Sequence, residues 1–219
     1  MKTIPLGIAI LAALSLSPAI QAHEGHDQPT LASGHHADCV SAKQAATQAA
    51  LRDLWVEHVF WIRNYVVASA DGNATEKAVA AEQVVANATA ISGAIAGFYG
   101  KPAGDQLLTL LAGHWGAVKS YSDATFAKNE KGQQDASARL IANAKEIAAF
   151  LAKANPNLPE ATLVGLLSAH GAHHIAQIQQ LSKGDAAGEA KTWAAMRAHM
   201  FTIADALTGG LAKQFPDKF

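Results

Sequence analysis

LLTLLAGHWG (107–116) is the stretch on which the reading of this chain turns. Leu107, Leu110 and Leu111 have the spacing of one apolar helix stripe, and the next step along that stripe is His114. A lone histidine on such a face is ordinarily a hydrogen-bonded core residue. This one recurs. Sliding the sequence by 56 residues carries Leu51, Leu54, Trp55 and His58 onto Leu107, Leu110, Leu111 and His114, then onto Leu163, Leu166, Leu167 and His170, without a gap. A second phrase keeps the same offset: Ala86, Asn87, Ile91 and Ile95 match Ala142, Asn143, Ile147 and Leu151, then Ala198, His199, Ile203 and Leu207. Alanine richness explains coincident small residues. It does not explain coincident histidines and asparagines.

The copies carry apolar residues at helical spacing and show no strand-like alternation. Gly, Pro and Asn clusters at 71–73, 100–104, 128–132, 155–159 and 183–185 break the pattern. Helices are therefore expected near 41–70, 74–98, 103–128, 133–154, 159–182 and 186–212. Pro102 and Pro159 suit helix first turns, and Asn73 with Glu76 has the form of a capping box. Short connections make neighbours antiparallel. The expected fold is all-α: an up-down bundle of six helices built from three 56-residue helical-hairpin repeats.

The ends of the chain read differently. Residues 1–22, MKTIPLGIAILAALSLSPAIQA, have a charged start, a short apolar run and a small residue at Ala22, the pattern of a secretory signal peptide. Residues 23–40 form a polar leader holding His23, His26, His35 and His36, read as flexible and as a weak metal site. Residues 41–219 form the bundle domain. The expected location is the periplasm or extracellular space, with no membrane span after signal cleavage. The one cysteine, Cys39, permits no internal disulfide and follows no lipobox. A net charge of −1 without a Lys/Arg cluster argues against nucleic acid as a partner; the sequence names no protein partner.

LRDLWVEHVFWIR (51–63), FYGKPAGDQL (98–107), IAAFLAKANPNLP (147–159) and KQFPDKF (213–219) resemble a family of exported bacterial helical-bundle proteins. Its members share L-W-x-x-H-x-x-W, F-Y-G, a helix closing in N-P and a C-terminal K-Q-F-P-x-K-F. The likeness covers about residues 45–219. It implies the bundle fold and histidines at the positions of His58, His114, His170 and His199. It implies no activity. His173, His174 and the leader histidines lie outside that pattern.

Residues equidistant from a hairpin turn sit at one height. His58 pairs in this way with Asn87, His114 with Asn143, and His170 with His199, so all six are expected in one mid-bundle layer. Buried imidazoles require partners. Either they hydrogen-bond one another and the amides, or their neutral nitrogens converge on a cation with the amides behind them. The metal candidates are His58, His114, His170 and His199, with His174, Asn87 and Asn143 as secondary ones. His174 stands at i+4 from His170, in the register of Ile62 and Val118; His173 is expected to face outward. Imidazole ligation without carboxylate or thiolate suits copper or zinc. Metal loss is then expected through the ordinary histidine range near pH 6.5. Trp55, Trp61, Trp115 and Trp193 read as core and interface residues, and Arg63 as a surface charge.

The leading reading is an exported binding protein for a transition-metal ion, in copper or zinc handling. A structural or interaction bundle with a hydrogen-bonded polar layer is the second, and a haem or redox protein the third. No nucleophile–base or paired-carboxylate arrangement points to hydrolysis, and no C-x-x-C-H announces covalent haem. A non-enzymatic role is therefore favoured.

Overall fold

The structure is a computed structural model that describes residues 40–219. Residues 1–22, read above as a signal peptide, Cys39 and the histidines His23, His26, His35 and His36 lie outside the described residues. The described chain is an all-α bundle of six long helices. These are α1 (Ala42–Ala70), α2 (Ala74–Tyr99), α3 (Lys101–Phe126), α4 (Glu130–Ala154), α5 (Glu160–Ser182) and α6 (Ala186–Gln214), followed by a short 3-10 turn at Pro216–Lys218.

Local chemistry sets the ends. The chain leaves α1, α3 and α5 through residues of positive φ, namely Gly72, Lys128 and Gly184. The next residue caps the following helix each time: Asn73, Asn129 and Asp185 accept from the backbone N–H of Glu76, Gly132 and Gly188 at 3.1, 2.9 and 2.9 Å. Asn129 therefore starts α4 at Glu130 rather than near 133. Gly100 (φ 87°) alone separates α2 from α3, which begins at Lys101 with Pro102 in its first turn. Pro159 sits at the N-cap of α5 rather than inside its first turn.

Each helix packs on its neighbours in chain order, and α6 closes the ring against α1. The odd-numbered helices also touch one another across the middle: α1 meets α3 and α5, and α3 meets α5. α1, α3 and α5 are thus the inner helices, while α2, α4 and α6 lie in the outer grooves. α2 is apolar and long enough to cross a membrane by length and composition; here it packs between α1 and α3.

The interior falls into two apolar clusters. One holds Trp55, Val59, Leu111, Leu167, Met196 and Met200 with the leucines and isoleucines toward that end. The other holds Ile62, Tyr65, Trp115, Val118, Leu140 and Ile178. Trp61 and Trp193 pack at the edges of these clusters.

Arg63 departs from the surface reading. Its guanidinium reaches α6, donating from Nε to Glu189 Oε1 at 2.6 Å and from a terminal nitrogen to Oε2 at 2.9 Å. Glu189 is buried and also accepts from Gln177 Nε2 at 2.9 Å. A fork geometry matched to a buried carboxylate explains the position. Asp205 is taken instead by Arg52 and Gln48.

Candidate metal centre

Between the two apolar clusters lies a group of four buried histidines: His58 of α1, His114 of α3, and His170 and His174 of α5. The inner position of these helices brings the side chains together. One ligand nitrogen from each ring lies within 4.8 Å of those of the other three. His170 Nε2 and His174 Nε2 are 3.1 Å apart. Ring centroids run from 4.4 Å for His170–His174 to 6.1 Å for His58–His174. Nitrogens sharing one tetrahedral ion at bonds of about 2.0–2.1 Å stand roughly 3.3 Å apart. The α5 pair already has about that separation, and the other pairs lie within 4.8 Å. The group includes no carboxylate or thiolate.

His199 stands elsewhere. Its helix is an outer one, and its Nε2 donates to Leu166 O at 2.8 Å. Asn87 and Asn143 do the corresponding thing: their Nδ2 groups donate to Leu54 O and Leu110 O, both at 3.0 Å. The polar residues expected in one layer thus divide in two. Imidazoles of the inner helices face each other, and side chains of the outer helices reach back to inner-helix carbonyls. His174 completes the group from one turn beyond His170, at the depth of Ile62 and Val118, all at most 1 % exposed. His173 is half-buried beside His199, with ring centroids 5.6 Å apart.

Burial governs the protonation of the group. It pushes the His58 imidazole down to about 3, reinforced by His114 and opposed by the Asn87 amide. It pushes His114 down to about 4, opposed by the Asn143 amide. His170 and His174 lie well below the ordinary histidine range, through burial first and then through neighbouring histidines. All four rings are therefore neutral at physiological pH, the form that ligates metals. Burial would thus move any competition between protons and a metal ion below the ordinary histidine range.

These rings are poorly satisfied by the protein itself. His58 Nδ1 and Nε2, His114 Nε2, His170 Nδ1 and His174 Nδ1 have no protein hydrogen-bond partner. Nor do the Oδ1 atoms of Asn87 and Asn143, whose amides adjoin His58 and His114. Each orphaned buried group costs about 1–3 kcal/mol. A cation inside the group would take imidazole lone pairs of His58, His114, His170 and His174 and leave each remaining ring N–H free to donate. The group could hold a metal ion through its imidazole nitrogens. An apolar cavity of about 20 Å³ is lined by Trp55, Leu51, Ile91 and Leu167 among others. Trp55 meets His58 edge-on with ring centroids 5.8 Å apart.

Helical spacing and the 56-residue offset bring out His58, His114 and His170 at once. The i, i+4 relation to His170 and the register of Ile62 and Val118 bring out His174. The buried Glu189–Arg63–Gln177 network gave no comparable signal, since Glu189 lies in the first turn of α6, where an acidic residue ordinarily serves the helix dipole. No family model, curated protein or solved structure matches the chain.

Proposed function

We propose that this chain is an exported helical-bundle protein that binds one copper or zinc ion in its interior and serves in handling that metal. The observation that carries the reading is the convergence of four neutral, buried and largely unpaired imidazoles from three inner helices. Random burial of four such side chains would be expensive, and metal ligation converts that cost into binding. Export rests on the N-terminal segment 1–22, and membership of the exported bacterial bundle family on the motifs at 51–63, 98–107, 147–159 and 213–219.

The hydrogen bond between His170 and His174 supports the second reading, a purely structural polar layer. The unpaired nitrogens of His58 speak against it. Haem is disfavoured because the rings approach too closely to admit a macrocycle between them.

The test is elemental analysis of untagged protein purified from the exported compartment. About one copper or zinc per chain supports the reading. Metal-free protein that also takes up neither Cu⁺ nor Zn²⁺ in titration leaves the structural reading in its place.

A further inference from the structure

His173 and His199 form a second pair of imidazoles, on the solvent side of the buried group. His199 donates from Nε2 to Leu166 O, so its Nδ1 carries a free lone pair. In the other two hairpins the same carbonyl contact is made by Asn87 and Asn143, which offer no such nitrogen. The structural task at this position is thus met by an amide elsewhere, and the imidazole of His199 adds a ligand that the task does not require. Opposite it stands His173, at a centroid distance of 5.6 Å. Two imidazoles on one ion, at bonds of about 2.0–2.1 Å and an angle near tetrahedral, place their centroids roughly 5–6 Å apart. Both residues are half-buried and reach solvent. His173 also adjoins His174 in the chain and lies one turn from His170.

We propose that His173 and His199 capture a late transition-metal ion from solvent and pass it to His170 and His174. This rests on the reading of the buried group as a metal site. The handover is ligand exchange. A nitrogen of a buried ring bonds the ion as the His173 nitrogen leaves it, and His58 and His114 then replace His199. The ion keeps its oxidation state. The proton held between His170 and His174 moves to Nδ1 of its own ring, so no proton is gained or lost.

The conservative variant is His199→Asn, patterned on Asn87 and Asn143, which keeps a donor for Leu166 O and deletes the free nitrogen; His173→Gln removes the other imidazole. Stopped-flow mixing of the full-length protein with Co²⁺, a paramagnetic quencher, reports loading through the tryptophan beside His58. The expected result is an unchanged final quench with loading at least ten-fold slower in either variant. Loading within two-fold of wild type overturns the relay. Complete absence of quenching in wild-type protein overturns the buried site and the relay with it. The capture pair is then decided on its own by imidazole ¹⁵N spectra with Zn²⁺. Joint shifts of His173 and His199 that vanish in His199→Asn establish it, and their absence in wild type removes it.

Discussion

His170 and His174 face one another across one turn of α5 with their Nε2 atoms 3.1 Å apart. Two neutral rings in this relation hold different tautomers, one donating and one accepting. The contact is both the best hydrogen bond in the group and the pair of nitrogens nearest to a shared metal geometry. His174→Ile separates these roles, because Ile62 shows that the register accepts an isoleucine in full burial. Metal-free stability is expected to change little, because the nitrogen orphaned on His170 is offset by the orphaned His174 Nδ1 that the substitution removes, while Zn²⁺ affinity falls at least ten-fold. Titration calorimetry and thermal melts measure the two effects. A marked loss of stability with unchanged affinity would assign His174 to structure alone.

Acid should act on the metal-free domain through the same residues. A histidine held neutral by burial binds its proton more readily in the unfolded chain, so stability rises with pH and is lost as pH falls from about 6.5 toward the folded value. For His58 and His114 those folded values are about 3 and about 4. Each residue removes about 1.4 kcal/mol per pH unit in that window, and His170 and His174 act in the same direction. Urea denaturation at pH 7, 6 and 5 should show a steep decline in stability. Equal stability at pH 7 and 5 would show that these rings are not held neutral.

Arg63→Ala leaves Glu189 buried without its cation. Since removing one member of a buried pair exposes the other's desolvation cost, about 2–4 kcal/mol of stability should be lost, with part of it recovered in Arg63→Ala/Glu189→Gln. Thermal or urea melts of the two variants check this. A cost below 0.5 kcal/mol, the level of ordinary surface substitutions, would restore the surface reading of Arg63.

Lys128 adopts φ 54° where the corresponding turns use Gly72 and Gly184 at 68° and 69°. A side chain in the left-handed region costs about 1 kcal/mol, and glycine removes that cost at some expense in unfolded-state entropy. Lys128→Gly is expected to stabilise the domain by about 0.5 kcal/mol, read as a small rise in Tm. Destabilisation would mean that the lysine side chain makes a compensating contact.

The bundle was legible in sequence because helical spacing, caps and turns are local. The residues that end α1, α3 and α5 and cap α2, α4 and α6 stand 56 positions apart, as do the carbonyl contacts of Asn87, Asn143 and His199. Residue heights within a hairpin follow from the same local rules, and they point to His58, His114 and His170. Which helices lie inward does not follow from them. It depends on how the hairpins meet, and that is why His174, and not His199, joins the buried group. Arg63 shows the same limit, since its partner Glu189 lies 126 residues away.

X-ray absorption of the full-length, untagged protein loaded with one equivalent of Zn²⁺ decides whether four imidazoles of the bundle interior hold a metal ion. Four imidazole nitrogens at about 2.0 Å are expected. That signature should be lost in folded His114→Ala and kept when His23, His26, His35 and His36 are all replaced by alanine. Retention in His114→Ala, with loss in the leader variant, would contradict an interior site.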